Sequence, residues 1–395
     1  FEYEGPYFSL SKEVNELGVT SLYQYDARGN LTNKIEAAGT SLERVTRYAY
    51  DEMDNKLSET RVGTSTNYTT SWTYDVMGNV LTGTDPLGNV TSNTYDYIGN
   101  LTSIRDPEGN VVSNVYDAAG HLVCTRDPLG RAASNVYDVA GNLVTNIDVH
   151  SRVTSYDYEL YGHLVKQTDP FGRVETRTYD AKERLVSVTD SEGKETQYEY
   201  DSEDRLIRTS DSNGRVSTTE YDSEGRITET VDPDGNTTVF SYDPATGLKT
   251  NEKYATYWRD FVYDVRGQLI SSVDHVMSEL RTNAFAYDAA GNTLARTDAE
   301  GRTISWIYDL LGRQIETVDA RACTNQVRYS LWGSVTNLVD ANGNVTRFEY
   351  DANDRLIRKT YADGSEVSYE YDGVGRLTRR VDAKRQMTLY AYNVL

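Results

Sequence analysis

Cysteine is nearly absent. Cys124 and Cys323 are the only two in 395 residues, too few for a disulfide framework. Such low usage does not fix the redox compartment. The four histidines, His121, His150, His163 and His275, lie far apart. No H-x-E-x-H, C-x-x-C or nucleophile-elbow pattern accompanies them, so neither a zinc site nor a triad is expected. No stretch of about 18 apolar residues occurs, which excludes a transmembrane helix. The opening Phe1-Glu2-Tyr3-Glu4-Gly5-Pro6 is not a signal peptide. Basic charge is short: 40 Lys and Arg against 61 Asp and Glu leave −21, the opposite of a nucleic-acid footprint. Apolar bulk is short too. Hydrophobic residues make up 38%, and Phe and Trp together number 11. A thick oily core is therefore not expected.

Tyrosine is the excess, at 32 residues, with abundant Thr and Val beside it. These residues favour strands, and an aromatic-rich chain is not a disordered one. The tyrosines are ordered in sequence. Tyr-Asp or a close variant recurs at Tyr25, Tyr50, Tyr74, Tyr95, Tyr116, Tyr137, Tyr158, Tyr179, Tyr200, Tyr221, Tyr242, Tyr263, Tyr287, Tyr308, Tyr329, Tyr350, Tyr371 and Tyr392. Of the 17 intervals, 14 are 21 residues long and the others are 25, 24 and 24. A fixed period of this kind marks a repeat architecture.

One unit reads Tyr95-Asp96-Tyr97-Ile98-Gly99-Asn100-Leu101, then Asp106-Pro107-Glu108-Gly109-Asn110-Val111. Each unit thus carries two D-x-x-G punctuations ten residues apart. Asp caps such a turn, Gly supplies the left-handed residue that closes it, and Pro presets φ in the D-P-x-G version. The signature residues taken as structural are Tyr74, Asp75, Gly78, Tyr95, Asp96, Gly99, Tyr116, Asp117, Gly120, Tyr137, Asp138, Gly141, Tyr221, Asp222 and Gly225. About six residues separate successive turns, enough for a strand near 20 Å long and too few for a helix. The pattern predicts an antiparallel meander of on the order of 36 strands. The position two before the repeat Tyr is aromatic in 12 of 18 units, among them Trp72, Phe240 and Trp306. Period two puts it on the face of the Tyr. Leu101, Leu122, Leu143, Leu164, Leu185 and Leu206 hold a fixed offset and are expected near the aromatic column.

These residues resemble the YD repeat, also called the RHS repeat, from about Asn15 to Leu395. The resemblance implies one long antiparallel sheet spiralling into a hollow shell or tube. Members include bacterial Rhs toxins, the B and C components of insecticidal toxin complexes, and the teneurins. It further implies a secreted or cell-surface setting, with an enclosed toxin in the toxin members and adhesion in the teneurins. The toxin-type core motif, D-P-x-G followed by Y-x-P-x-G-R-F, is matched only partly by Tyr242-Asp243-Pro244-Ala245-Thr246-Gly247. Leu248-Lys249 stands where Arg-Phe belongs, so a variant turn is the expectation and a cleavage motif the alternative. The chain starts and stops within units, which suggests residues 1–395 are a single array cut from a longer one.

No catalytic residue, metal site or cofactor is expected. The repeated Asp is explained by turn capping, and D-x-x-G lacks the ligand oxygens that calcium demands. The two cysteines sit at different offsets and read as free thiols. Rows of Tyr and Trp are expected to line the sheet. Tyr257 and Trp258, in an irregular unit, are the exception and the candidate ligand-facing aromatics. Lys249–Asp260 and Asp274–Leu280 lack a second D-x-x-G and are expected to protrude as loops. The sheet is expected to curl until its coils pair edge to edge, which would remove the edge hazard. Expected partners are neighbouring repeats, copies of the chain, an enclosed toxin or a surface glycan, with no nucleic acid and no membrane insertion. The leading functional expectation is a wall or filament, ahead of toxin encapsulation and carbohydrate adhesion.

Overall fold

The computed structural model describes residues 1–4 and 8–393. Gly5, Pro6 and Leu395, named above in the N-terminal reading and the array's end, lie outside the described residues. The described residues form 37 strands and no helix, from β1 (Glu2–Glu4) to β37 (Met387–Leu389). Each strand pairs antiparallel with the strand before it and the strand after it; Leu101–Arg105, for example, lies between Val90–Tyr95 and Val111–Tyr116. The result is one open meander. With no helix there is none long and apolar enough to span a membrane, which says nothing about strands.

The turns account for this regularity. In the turn opened by Asp96, Gly99 N–H donates to the Asp96 carbonyl at 3.1 Å and Asp96 N–H to the Asn100 carbonyl at 3.0 Å. Asp96 Oδ1 accepts the Ile98 and Asn100 amides at 3.0 and 2.9 Å. Four hydrogen bonds thus close five residues, and Gly99 sits at φ 92° to permit it. Where the glycine is replaced, Asp54, Glu183, Asp204 and Asp354 keep the left-handed conformation at φ 65°, 66°, 66° and 58°. Asp tolerates this region better than most residues, so the capping carboxylate and local hydrogen bonding outweigh the strain. At Asp243 the turn is one residue longer. Gly247 N–H reaches the Asp243 carbonyl at 2.9 Å and Thr246 Oγ1 donates to Asp243 Oδ1 at 2.8 Å, the geometry of a variant turn.

One β-bulge recurs beside each repeat Tyr from Tyr25 to Tyr371. Val115 pairs with Cys124 but Tyr116 with Leu122, leaving Val123 as the extra residue. The same shift occurs at Tyr137, Tyr158, Tyr179 and Tyr200, whereas the pairing across the second turn stays in register. A bulge bends its strand and adds twist. Repeating it on the same hairpin of each unit curls the sheet in one sense. The bulge also sets Leu101, Leu122, Leu143, Leu164, Leu185 and Leu206 directly opposite the Tyr of their own unit.

The curled ribbon returns on itself. Arg61 Nη1 lies 2.6 Å from Asp354 Oδ2, Asn353 Nδ2 lies 2.6 Å from Asp85 Oδ2, and Gly373 N–H donates to Glu108 Oε1 at 2.7 Å. The last two pairs are 268 and 265 residues apart, about 13 units, or 26 strands. At about 4.8 Å per strand that is a circumference near 125 Å and a mean diameter near 40 Å. The coils do not pair edge to edge as expected. Second turns of one coil abut first turns of the next through side chains, because strands run between the ribbon's rims and present no ladder to the neighbouring coil. Among the described residues the strand edges are only β1 and β37, three exposed residues each. Short edges limit unwanted pairing.

No solid core forms. The only buried hydrophobic residues among those described are Val19, Ala37 and Val367. The accessible surface is 23,862 Å², against about 15,600 Å² for a compact monomer of this mass. The position before the repeat Tyr is exposed, as at Val115, Val136, Val262 and Ile307, while the repeat Tyr and the position two before it are largely half-buried. One face thus shelters aromatics and Leu, and the other faces water.

Candidate functional site

Each unit presents the same construction, and the repeat Tyr is its centre. Tyr95 Oη donates to the Val80 carbonyl at 3.0 Å, Tyr116 to Leu101 at 3.1 Å, Tyr137 to Leu122 at 3.2 Å and Tyr221 to Leu206 at 3.0 Å. Tyr74 donates to the Lys56 carbonyl at 2.7 Å across a longer unit. Fourteen of the 18 repeat tyrosines make this bond. The acceptor is the first residue after the preceding unit's bulged turn, where the ladder is locally disrupted. A phenol satisfies that carbonyl and ties one unit to the next. Phe cannot, which accounts for Tyr in the 14 units that make the bond; the column is Tyr in all 18 units while the column two before it mixes Tyr, Trp and Phe. Sequence reasoning treated both columns as packing; the invariance of one against the variation of the other was the available signal. In the units with Asn at that second column, Asn93, Asn114 and Asn135 donate to the same carbonyls at 3.0, 3.1 and 3.0 Å.

The residue after each turn glycine was also missed. It is Asn or Arg in most units, and its side chain bonds the free oxygen of the turn Asp. Asn79, Asn100 and Asn142 Nδ2 reach Asp75, Asp96 and Asp138 Oδ2 at 3.0, 2.9 and 3.0 Å. His121 Nδ1 lies 3.0 Å from Asp117 Oδ2, and Arg226 Nε lies 2.8 Å from Asp222 Oδ2. The Asn79 side chain and amide hold the Asp75 carboxyl below its usual range, and those of Asn142 do the same for Asp138. At Asp96 burial pushes upward but the Asn100 donors prevail and the net shift is down. Asp117 and Asp222 are lowered chiefly by the amides of His121 and Arg226. Gly78, Gly99, Gly120, Gly141 and Gly225 all lie at positive φ, between 81° and 92°.

The same position links forward. Arg205 lies 4.8 Å from the ring centre of Tyr221, and its Nη1 donates to the Asp222 carbonyl at 3.0 Å. Arg184, Arg313 and Arg355 repeat both contacts with Tyr200, Tyr329 and Tyr371. His121 and His163 stack on Tyr137 and Tyr179, each at 4.8 Å. The turn carboxylates are therefore spent on structure. Among the described residues no group of three His, Cys, Asp or Glu is placed to hold a metal ion. Cys124 and Cys323 are free and half-buried.

The irregular units differ from expectation. Lys249–Asp260 and Asp274–Leu280 are strands for the most part, not loops. Strands Leu269–Val276 and Glu279–Tyr287 run eight and nine residues instead of the usual five and six, joined by a tight turn at Met277 with φ 54°. The hairpin therefore projects about 10 Å past its neighbours. Pairing continues to its tip, with Tyr257 opposite Val276 and Trp258 opposite His275. Trp258 stacks on His275 at 4.5 Å, and His275 Nε2 lies 2.7 Å from Asp260 Oδ2. Trp258 stays 41% exposed, on the face opposite the repeat tyrosines. Tyr257 is half-buried on the other face, stacked on Tyr254 at 4.4 Å. Burial, together with the Tyr254 hydroxyl's bond to Glu252, pushes the Tyr254 phenol up to about 12. Arg259 and Asp274 form a two-point ion pair that holds Arg259 in its charged form. The two predicted aromatics thus sit side by side in sequence but on opposite faces, and only Trp258 offers a ring to solvent.

Comparison with known proteins agrees with this construction. A family model for the teneurin YD-shell matches residues 173–317. A family model for the RHS repeat matches residues 25–66, 78–112, 95–132, 329–366 and 350–387. Between them these matches place YD repeats, also called RHS repeats, along most of the chain. Among solved structures, the crystal structure of TcdB2-TccC3-Cdc42 superposes on this YD-repeat chain with a TM-score of 0.63 at 16% identity, covering 92% of this chain and 23% of its own. TcdB2-TccC3-TEV gives 0.62 at 13%, covering 96% and 26%. TcdB2-TccC3 gives 0.62 at 15%, covering 92% and 24%. These likenesses establish a shared fold, and the YD-repeat chain spans about a quarter of the length of the solved chains it matches. No curated protein matches the sequence.

Proposed function

We propose that the chain is a non-enzymatic section of the wall of a hollow shell or tube, part of a large secreted or cell-surface bacterial protein. Residues 1–395 act in this reading as a single array within a longer one. The signature residues Tyr74, Asp75 and Gly78 and their equivalents serve to hold the wall. The observation that carries the proposal is a ribbon that meets itself after about 13 units while burying, among the described residues, only three hydrophobic side chains. Such an object encloses space instead of filling it. Small terms, a hydrogen bond of about 1 kcal/mol here and a stacked pair there, accumulate through nearest-neighbour repeats.

The test is small-angle X-ray scattering of the purified chain. A compact chain of this length has a radius of gyration near 21 Å. A wall about 40 Å across has a radius of gyration close to that value, so the distance distribution decides: a hollow wall weights it toward the wall-to-wall separation. A symmetric distribution with the short and middle distances of a filled particle would overturn the reading.

A second reading has its own observation. Trp258 is exposed, held flat by His275 and carried on a projecting hairpin, an arrangement suited to stacking on a sugar ring. Binding on a glycan array that disappears in Trp258→Ala would support adhesion; a blank array would remove it. Encapsulation of a toxin is compatible with the hollow wall, and the full-length sequence decides it through the presence or absence of a core motif followed by a variable domain.

A further inference from the structure

A constellation that the repeat does not explain stands on the water-facing side of the wall, at the foot of the projecting hairpin. Thirteen of the other 17 units place Val or Thr five residues before the repeat Tyr, and this unit places Trp258 there. Strand pairing gathers its neighbours on the same face. Lys253 lies opposite Trp258 on one side and His275 on the other, with Asn251 opposite Asp260 one row down. Asn251 Nδ2 donates to Asp260 Oδ1 at 2.7 Å, and His275 Nε2 lies 2.7 Å from Asp260 Oδ2. His275 in turn stacks on Trp258, with ring centres 4.5 Å apart and planes 12° from parallel. These contacts run across three strands and hold the indole in place without serving a turn or a link between units. A further coil would not cover this platform. Where coils meet, they touch through turns: Asp85 of a second turn reaches Asn353, yet Val90, which takes Trp258's place in that unit, stays 43% exposed.

The charges beside the ring select its ligand. His275 covers one side of Trp258, so the open side looks across to Lys253. Lys253 is exposed and forms no ion pair among the described residues, whereas Lys249 and Arg259 are tied to Glu252 and Asp274 on the other face. Asp260 has both oxygens engaged, one by Asn251 and one by His275. Glu229 lies two strands beyond Lys253 in the same row, with Val239 between them. Among the described residues the free charge beside the ring is therefore a cation. The net −21 of the chain opposes an anion from afar, but charges beyond about 8 Å are largely screened at physiological salt. We propose that this platform binds an acidic saccharide: a pyranose ring stacks on the open side of Trp258, and the sugar's carboxylate pairs with the Lys253 ammonium. The proposal rests on the adhesion reading above and adds the class of sugar. The flexible stem of lysine lets its ammonium follow the carboxylate. A surface ion pair is weak, so the charge should contribute about threefold to fivefold in affinity and the ring the larger share.

The experiment is a saturation-transfer NMR titration of the purified chain with galacturonate, glucuronate and sialic acid oligosaccharides. Each is run beside its methyl ester, which keeps the ring and removes the charge. At least one acid should bind, and its ester should bind about threefold to fivefold more weakly. Trp258→Ala should abolish binding of both forms. Lys253→Gln should bring the acid down to the level of its ester, and Lys253→Arg should keep the difference. Both positions are exposed, and an unchanged circular dichroism spectrum checks that the variants fold. An acid that binds no better than its ester overturns the proposal. So does an acid that binds equally well without Trp258 or without the Lys253 charge, and so does failure of every acid. The glycan array separates the two failures: neutral glycans that bind through Trp258 leave the adhesion reading intact, and a blank array removes both.

Discussion

Removing one oxygen atom tests the construction most cleanly. In Tyr200→Phe the ring keeps its place, Arg184 keeps its position 4.9 Å from the ring centre, and only the 2.8 Å bond from Tyr200 Oη to the Leu185 carbonyl is lost. A typical hydrogen bond contributes about 0.5–1.5 kcal/mol net, and an unsatisfied buried carbonyl costs about 1–3 kcal/mol. Tyr200 is half-buried and water can partly replace the phenol, so about 1 kcal/mol is expected. The matched control is Tyr198→Phe, whose column already takes Phe at Phe240, Phe261, Phe285 and Phe348; it should be close to neutral. Global melting is the wrong assay, because repeat arrays respond unit by unit and a single transition is not assured. Hydrogen exchange resolved to peptides is better. Tyr200→Phe should lower protection about fivefold in strands Leu185–Thr189 and Glu195–Tyr200, and leave distant units unchanged. Equal protection in parent and Tyr200→Phe, or an equal loss in Tyr198→Phe, would refute the argument that the hydroxyl and not the ring selects tyrosine.

Other predictions follow from the same geometry. Gly109→Val forces a β-branched residue to φ 85° and should cost about 1–2 kcal/mol, seen as faster exchange in the hairpin it closes. Acid should weaken the array. The carboxyls of Asp75, Asp138 and Asp340 are held below their usual range, first by the side chains of Asn79, Asn142 and Asn344. Their contribution is complete above the unfolded value near 3.9 and is lost as pH falls through the lower folded values. Thermal melts followed by circular dichroism should therefore shift down below about pH 4. An upward shift would mean that relief of the −21 net charge dominates. Gly373→Val tests the seam, because a Cβ there meets Glu108 Oε1 at 2.7 Å and Pro107 Cβ at 3.1 Å. Exchange should rise in the turn around Pro107 while the strands flanking residue 373 stay protected.

Much of the fold could be read before any coordinates, for physical reasons that particular residues make plain. Tyr95-Asp96 and Asp106-Pro107 fix turns through local hydrogen bonds and a preset φ, so spacing alone yielded strands, hairpins and the meander. The bulge at Val123 could not be read, since an extra β-branched residue looks like any other strand position. Without the bulge there was no way to see why a carbonyl needs a phenol, or how the sheet curls. The coil seam was invisible because Arg61 and Asp354 are 293 residues apart and neither breaks the pattern. Edge pairing of coils was wrong because it overlooked which way the strands run relative to the seam. The irregular units around Trp258 lack a second turn glycine, and that pattern reads as loops. In fact Met277 takes the left-handed position and lets the strands lengthen.

The central claim is that a single sheet, curled by one bulge per unit, closes into a coil of about 13 units around empty space. Single-particle electron microscopy of the purified chain tests it most directly. End-on averages should show a ring about 40 Å across with a central region at solvent density, and 26 strands per coil. A density filled by interdigitated side chains, or a flat ribbon whose residues near Asp85 and Asn353 lie far apart, would contradict it.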